Sequence, residues 1–326
     1  MPQIPHPKGY VCVRAPDPIH LTGKLDDPAW ELAPWTDDFV DIEGDTRPVP
    51  RFRTRVKMMW DDDYFYIAAE LEEPHLWATL TEHDSVIFQD NDFEVFIDPD
   101  GDNHQYYEYE INALGTDWDL RLVRPYRDGG PALNEWEVPG LKKAVHLQGT
   151  LNDPTDVDSH WSLELAFPWA VLGEFADCSA PPARGDQWRI NFSRVQWDFV
   201  VEDGRYRKVP ERKEHNWVWS PQGVIDMHRP ELWGYVQFED KVSTFQPDED
   251  WDTKCALTDF YYRQKTFFDT NRHYCADPAT LGATCHLKHF QLVDEGYVAT
   301  IVGATDDWTI DHESKLCRAS VRNPIA

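Results

Sequence analysis

Short runs of strand-forming residues separated by turn-forming residues dominate the first 240 residues, and this pattern constrains the fold more than any other feature. Runs such as YFYIAAEL (residues 64–71) and DFEVFID (92–98) alternate with turn segments such as DPDGDN and RDGGP. Asp, Gly, Pro and Asn favour tight turns, and strands at this spacing without helical periodicity indicate a sandwich or barrel. The sequence therefore predicts a mostly β fold, an antiparallel, jelly-roll-like β-sandwich, over residues 1–240.

The last quarter of the chain has a different pattern. Residues 241–250 form an acidic, proline-containing linker, and residues 251–274 predict a helix. The helix is indicated by one apolar stripe that recurs at three- and four-residue steps. Its members are Leu257, Phe260, Tyr261, Gln264 and Phe268. Strand-like runs follow, so the sequence predicts a separate small α+β unit over residues 251–326, whose function the sequence does not reveal.

The six cysteines are unevenly distributed along the chain. Four of them, Cys255, Cys275, Cys285 and Cys317, fall in the last quarter, and none forms a C-x-x-C pair, which disfavours a zinc ribbon. Their clustering favours one or two disulfides and an extracellular, oxidising compartment, with free buried thiols as the alternative. The first residues have neither a charged n-region nor an apolar h-region, so we expect no secretion signal in this sequence.

The strong negative charge excludes two classes of partner. The chain has 59 acidic and 31 basic residues, which gives a formal net charge of -28. Such a chain repels a phosphate backbone and an anionic membrane surface. It also lacks a run of 18 apolar residues. We therefore expect no nucleic-acid partner and no membrane insertion.

A strand-turn-strand segment at residues 88–112, FQDNDFEVFIDPDGDNHQYYEYEIN, is unusually rich in carboxylates. Side chains alternate between the two faces of a strand. If the turn closes a hairpin, apolar residues of both strands face the core and polar residues share the outer face. The predicted outer face contains Asp92, Glu94, Phe96, Glu108, Glu110 and Asn112. A solvated sheet face is the simplest interpretation of this pattern.

The turn of this hairpin suggests a metal site. Asp98, Asp100 and Asp102 stand at alternate positions, like the opening of a calcium-binding loop. The sixth position is Asn103 and the twelfth is Tyr109, so the EF-hand pattern is not met. Structural calcium at the three Asp residues and a plain hairpin turn both remain open.

Paired carboxylates also raise the possibility of catalysis. Glu94 and Glu110 are candidates for the two acids of a glycoside hydrolase, which flank the scissile bond at about 5–9.5 Å. Any strongly acidic sheet offers such a pair by chance. No G-x-S-x-G, H-E-x-x-H or Gly-rich phosphate loop is present.

Aromatic residues suggest a third use, the binding of a sugar. The chain has 15 Trp residues, and the C–H faces of sugars pack on aromatic rings while their hydroxyls hydrogen-bond to polar groups. Trp77 and Trp219 occupy turn-rich polar segments rather than strand cores. They are therefore candidate platforms for a mono-, oligo- or polysaccharide.

Several segments together resemble the family 9 carbohydrate-binding modules and their stand-alone relatives. They occur in the family's order over about residues 18–240, and include GKLDDPAW, WDDDYFYIAAEL, DNDFEVFIDPDGD, WSLELAFPWAVLG and RPELWGYVQF. The resemblance implies a β-sandwich that binds sugars without cleaving them, often with structural calcium.

The resemblance also implies particular binding residues. The family holds a sugar ring between two aromatic side chains, and the second lies three residues after an Asn, as Trp219 does after Asn216. The Glu of the strand motif corresponds to Glu94, and the Asn that ends the next strand to Asn112. We also expect Asp90 to face the ligand.

Two positions depart from the family pattern. Phe88 stands where the family has its first Trp, and Glu110 stands where it has Arg. These changes shrink the stacking platform and replace a cation with an anion. We therefore expect Trp77 to replace the platform and Arg194 to supply the missing cation.

Two further functions stay open. One is an interaction domain that kept the fold and lost the sugar. The other follows from a more distant resemblance to haem-binding subunits of certain dehydrogenases, which would need axial ligands such as Met58, Met59 or Met227.

Overall fold

A computed structural model describes residues 4–282 and 285–319. The ends of the predicted domains, residues 1–3 and 320–326, lie outside the described residues, as do residues 283–284 within the predicted C-terminal unit.

Strands dominate the chain up to Glu239, and their bounds follow the sequence pattern closely. The strands of this part are β1 (Gly9–Arg14), β2 (Val40–Asp41), β3 (Thr54–Trp60), β4 (Tyr64–Glu72), β5 (Asp92–Asp98), β6 (Tyr106–Asn112), β7 (Asp117–Leu122), β8 (Ala132–Leu133), β9 (Lys142–Gln148), β10 (His160–Pro168), β11 (Gln187–Gln196), β12 (Phe199–Glu202), β13 (Arg205–Lys208), β14 (His215–Val218) and β15 (Gly234–Glu239). A short helix, α1 (Trp169–Leu172), follows β10, and short 3-10 helices cover Pro28–Leu32, Gly44–Thr46, Ile87–Gln89, Tyr126–Asp128 and Pro230–Leu232.

Most of these strands form one continuous sheet that folds back on itself. Its order is β8-β7-β6-β5-β11-β15-β1-β3-β4-β10-β9, with β14 and β2 attached beside β11. Strand β1 runs parallel to both of its neighbours, β15 and β3, whereas the other pairs are antiparallel. The predicted mostly β sandwich is confirmed.

One apolar core lies between the two halves of the folded sheet. Strand β5 contributes Phe93, Val95 and Ile97, and the opposite half contributes residues such as Met58 and Leu163. These side chains come from alternate positions of their strands, as half-buried strands require. The alternation of β5 and β6 therefore gave the correct core face.

The outer faces of the two halves are covered differently. The half that contains β3, β4 and β10 is covered by the N-terminal segment around Trp30. The half that contains β5, β6, β7 and β11 bears two separate aromatic clusters, one around Trp233 and one around Trp197. The carboxylates of the hairpin lie on this second outer face, between the two clusters.

A helix and a separate four-stranded sheet make up the described C-terminal part. The helix α2 (Trp251–Asn271) is followed by a 3-10 helix (Pro278–Leu281) and by the strands β16 (His289–Val293), β17 (Gly296–Val302), β18 (Asp307–Asp311) and β19 (Leu316–Arg318). The four strands pair in chain order, and their core contains Phe260, Tyr297 and Ile310. The division of the chain into domains at residues 240 and 251 stays a prediction.

This C-terminal part contacts the sandwich through polar side chains. The Tyr262 hydroxyl donates to Glu231 Oε1 at 2.7 Å, and the Lys265 ammonium donates to the Arg127 carbonyl at 2.6 Å. The Asn103 amide donates to the Ser314 carbonyl oxygen at 2.9 Å. The hairpin turn of β5 and β6 is thus part of the contact with this unit.

All six cysteines carry free thiols, so the predicted disulfides are not present. Cys255 lies on α2 and Cys317 on β19, while the Cys275 sulfur contacts the Asp277 carbonyl and the Thr280 hydroxyl. The inference of an extracellular compartment, which depended on the disulfides, loses that support. Within the described ranges, no helix has both the length and the apolarity needed to cross a bilayer.

Candidate functional site

The candidate site is a row of side chains that crosses four strands of the outer face. Glu94 on β5 is directly opposite Glu110 on β6, and Glu110 is directly opposite Trp118 on β7. On the other side, Glu94 is directly opposite Ser193 on β11. Directly opposed residues of an antiparallel pair point to the same face with Cβ atoms about 4.5–5.5 Å apart. We call Trp118, Glu110, Glu94 and Ser193 the central row.

Two more carboxylates flank the central row. Asp92 precedes Glu94 by two residues on β5, and Glu108 precedes Glu110 by two residues on β6, so both share the face of the row. We call Asp92, Glu94, Glu108 and Glu110 the carboxylate cluster. Their exposed fractions are only 0% to 6%. The simplest interpretation of the sequence, a solvated acidic face, is therefore wrong.

Aromatic rings cover both ends of the carboxylate cluster. At one end, Phe88 and Trp118 are half-buried, and their ring centroids lie 6.5 Å apart at an interplanar angle of 32°. The Trp197 indole donates to the Phe88 carbonyl at 2.9 Å, which fixes the position of this wall. At the other end, the exposed ring of Tyr126 meets His228 edge-on at 4.5 Å. The two walls leave partly exposed rings beside buried carboxylates.

Burial dominates the electrostatics of the cluster. It raises the pKa of Glu94 to about 7, and it raises the pKa of Asp92, Glu108 and Glu110 well above the usual range of a carboxyl group. The neighbouring carboxylates add to these increases in pKa, because like charges disfavour ionisation. Burial also raises the pKa of Tyr126 to about 12, with Glu108 and Glu110 contributing. The four carboxyl groups therefore tend to bind protons or another positively charged ligand.

Hydrogen bonds satisfy only part of the cluster. Asp92 Oδ1 accepts from the Val195 amide at 3.2 Å, and Glu110 Oε2 accepts from the Phe88 amide at 2.9 Å. Asp92 Oδ2 and Glu108 Oε2 are buried without a hydrogen-bond partner. Buried polar atoms in folded proteins nearly always have partners, so such exceptions require an explanation.

Asp90 and Asn112, both predicted to face a ligand, hold a loop instead. The Asp90 carboxylate accepts from the amides of Thr79 and Leu80 at 2.7 and 2.8 Å. The Asn112 amide donates to Asp90 and to the Leu80 carbonyl, and its oxygen accepts from two amides of the following turn. Because these groups are used internally, they position the loop that carries Trp77.

Trp77 lies close to Phe88 in the structure. This proximity is what the expectation that Trp77 replaces the missing Trp platform at position 88 requires. Trp77 belongs to the cluster around Trp197, and Phe88 packs against that cluster. Trp77 is only 8% exposed, however, so Phe88 and Trp118 offer more open ring surface.

Asn216 and Trp219 lie on opposite faces of the sheet. Asn216 is opposite Val195 on β11, on the face of the carboxylate cluster. Trp219 is 1% exposed and belongs to the core between the two halves of the sheet, where its ring contacts Phe192. In this position Trp219 offers no ring surface to a ligand, which corrects the expectation that it is a platform.

Arg194 does not supply the missing cation. Ser193 faces the carboxylate cluster, so the next side chain along β11 points the other way. The Arg194 guanidinium is buried, forms a 2.9 Å ion pair with Glu73 and donates to Gln196 at 2.7 Å. Arg194 therefore has a structural role. It does not neutralise the negative charge that Glu110 introduces in place of the family's Arg.

The three Asp residues of the hairpin turn come together, with one ligand oxygen from each within 4.8 Å of the others. Their oxygens already have donors, however. Asp98 accepts from the amides of Gly101 and Asn103, and Asp100 from those of Asp102 and Asp177. Asp102 accepts from the His104 amide and pairs with Lys315 at 2.9 Å. The turn is held by its own contacts, and calcium here stays a prediction.

Trp118 and Tyr126 lie at the site and were not predicted from the sequence. For Trp118 a signal existed, because the short turn after β6 predicts a second hairpin whose register places Trp118 opposite Glu110. For Tyr126 and His228 no local signal existed, since they reach the cluster from loops that are distant in sequence.

Comparisons with known proteins agree with this fold. Residues 21–174 match the family model described as carbohydrate family 9 binding domain-like. Residues 21–174 are therefore similar to this family of carbohydrate-binding domains. The match confirms the resemblance of the sequence to this family, and it includes Glu94, Glu110 and Trp118, whereas β11 lies beyond it. A search of curated proteins finds no match.

Solved structures similar to this chain include a Bacteroides uniformis protein provisionally described as carbohydrate-binding. It is 17% identical, covers 72% of this chain and 100% of its own, and has a TM-score of 0.54, which supports the fold. Two structures of a family 9 module from Caldicellulosiruptor kristjanssonii, with glucose and with cellotriose, are each 14% identical. They cover 74% of this chain and 100% of their own, with TM-scores of 0.48 and 0.47.

Proposed function

We propose that the protein binds a carbohydrate at the central row, without cleaving it. The family match over residues 21–174 carries this proposal, because it links β5, β6 and β7, three of the four strands of the row, to a family of carbohydrate-binding domains. The ligand is a mono- or oligosaccharide or the exposed end of a polysaccharide.

The row offers the two kinds of group that a sugar requires. The half-buried rings of Phe88 and Trp118 can pack against the C–H face of a pyranose. Glu94 and Glu110 lie beside these rings and can accept hydrogen bonds from hydroxyl groups. Asn216 shares this face and adds an amide donor and acceptor. Trp118 replaces Trp219 in our assignment, because Trp219 lies in the core.

Calorimetric titration of the full chain tests the proposal. Glucose and cellotriose are the first probes, followed by a glycan array if neither binds. In Trp118→Ala we expect the affinity for the bound glycan to fall at least tenfold, because stacked rings contribute strongly to such sites.

Trp35→Ala is the matched control. Trp35 is also partly exposed, but its ring stacks beneath Arg55 at 4.1 Å and Lys57 at 4.8 Å on the other half of the sheet. Equal losses of affinity in both variants, or an absence of binding to every glycan of the array, would reject the proposal.

A further inference from the structure

The carboxylate cluster has the geometry of an ion site. Asp92, Glu94 and Glu110 each offer one oxygen, and these three oxygens lie within 4.8 Å of one another. The three side chains are between 0% and 5% exposed, so water screens their mutual repulsion poorly. An arrangement of this kind requires a compensating positive charge.

Two buried oxygens of the carboxylate cluster have no hydrogen-bond partner. Asp92 Oδ2 is fully buried and accepts no hydrogen bond. Glu108 is 6% exposed, its carboxylate lies against that of Glu110, and its Oε2 also lacks a partner. Because Glu108 is not one of the three converging residues, its free oxygen is a separate indication that a ligand is needed.

Two other buried carboxylates of this chain, Glu164 and Asp250, have several donors each. Glu164 accepts from the amides of Thr22 and Gly23 and from the Trp30 indole. Asp250 accepts from Thr305 and the Trp308 indole, among other donors. The fold supplies donors to these two acids, whereas the carboxylate cluster holds two unpartnered buried oxygens, one on Asp92 and one on Glu108.

No basic side chain of the described residues forms an ion pair with the three converging carboxylates, and acidic neighbours raise the pKa of each. Lys208 interacts electrostatically with Asp92, but its ammonium donates to Gln89 and lies 3.4 Å from the centre of the Trp197 ring. His228 Nε2 is 4.0 Å from Glu108 Oε2, which is too far for a hydrogen bond.

We propose that Asp92, Glu94 and Glu110, with Glu108 as a fourth ligand, bind a divalent cation of calcium size. Calcium takes six to eight oxygen ligands at about 2.3–2.6 Å, so oxygens on opposite sides of the ion lie about 4.6–5.2 Å apart. The three oxygens of Asp92, Glu94 and Glu110 lie within 4.8 Å of one another, which is within the span of such a shell. Magnesium prefers tighter octahedral shells at about 2.0–2.1 Å, with several waters and only one or two carboxylates.

The test uses the full chain freed of metal by a chelator and then titrated with calcium chloride in a calorimeter. Terbium luminescence excited through tryptophan gives a second readout, since Trp118 adjoins Glu110 in the central row. We expect calcium to bind and to raise the thermal midpoint of the wild-type protein.

Two variants locate the ion. Glu110→Gln should bind one calcium ion fewer than the wild type, or bind it with at least tenfold lower affinity. Its thermal unfolding midpoint should no longer rise when calcium is added. The same variant should have a higher midpoint than the wild type in chelator, because one buried like charge is removed, and this result also shows that the variant folds. Asp102→Asn, in the hairpin turn, is the matched control and should retain the ion.

Either of two results would overturn this inference. One is an absence of calcium binding to the wild-type protein at millimolar concentration. The other is calcium binding that survives in Glu110→Gln and is lost in Asp102→Asn. Any effect of the ion on sugar binding assumes the proposed function. The affinity for glycans is therefore measured in a separate titration, once with calcium and once with chelator. A protein that binds calcium and no glycan would retain this inference and reject the proposed function.

Discussion

At the scale of single residues, the buried pair of Arg194 and Glu73 fixes the region where β11 meets the end of β4. Both side chains are 1% to 2% exposed, and the Arg194 guanidinium also donates to Thr54 Oγ1 at 3.1 Å and to the Glu72 carbonyl at 2.8 Å. Glu73 in turn accepts from the His75 amide at 3.1 Å. Removing one member of such a pair leaves a buried charge without a partner.

Arg194→Met should therefore lower the free energy of unfolding by about 3–5 kcal/mol. Chemical denaturation measures the loss, and Arg207→Met, at an exposed position, is the control. Adding Glu73→Gln to Arg194→Met should recover part of the stability, because the uncompensated charge is then removed. A loss of less than about 1 kcal/mol in Arg194→Met would contradict the structural role.

The faces occupied by Arg194 and Trp219 could have been predicted from the sequence. Alternation along β11 groups Arg194 with Ile190 and Phe192, on the core side. Alternation from Trp217 likewise places Trp219 in the core. The partner of Arg194 could not have been predicted, since Glu73 lies 121 positions away and no local pattern connects them.

At the scale of elements, the hairpin of β5 and β6 has the register that its alternation predicts, with Glu94 opposite Glu110. Burial of its outer face could not be read from the same segment. The covering side chains come from the 3-10 helix Tyr126–Asp128, from β13 and from the loop that contains His228. Contacts between such distant segments leave no periodic signal in either one.

The start of α2 provides a prediction that depends on pH. Asp250 accepts from the Thr305 amide at 3.1 Å and from the Trp308 indole at 2.9 Å, and so joins the helix to the loop before β18. Burial acts to raise the pKa of Asp250, but the hydrogen bonds from Thr305 and Trp308 outweigh it and lower the pKa from 3.8 to about 2. The lowered pKa means that the ionised form stabilises the folded state above about pH 4. This stabilisation is lost as the pH falls toward 2.

Asp250→Asn should therefore lower the free energy of unfolding by about 1–3 kcal/mol at neutral pH. The difference from the wild type should shrink between pH 4 and pH 2, as the wild-type carboxylate becomes protonated. Denaturation followed across this range measures both effects, with the exposed Asp252→Asn as the control on the same turn. A difference that grows on acidification would contradict the assigned role of Asp250.

At the scale of the whole molecule, the sequence pattern predicts the β-sandwich and the helix α2 because each depends on local periodicity. The chain with net charge -28 folds with most of its buried acids satisfied by amides and indoles. In the carboxylate cluster, Asp92 and Glu108 each keep a buried oxygen without a hydrogen-bond partner, and the cluster lies within the residues that match the family 9 model. The proposed carbohydrate and the proposed cation would both bind at this cluster.

The most direct test of the sugar site follows the indole N–H signals of the Trp residues by NMR while the bound glycan is added. Trp118→Phe assigns the decisive signal. The Trp118 resonance should shift on addition of glycan, together with that of Trp197 in the adjoining wall. The core residues Trp161, Trp188 and Trp219, each 1% exposed, should be unaffected. A shift of Trp219 with an unchanged Trp118 would contradict a sugar site at the central row.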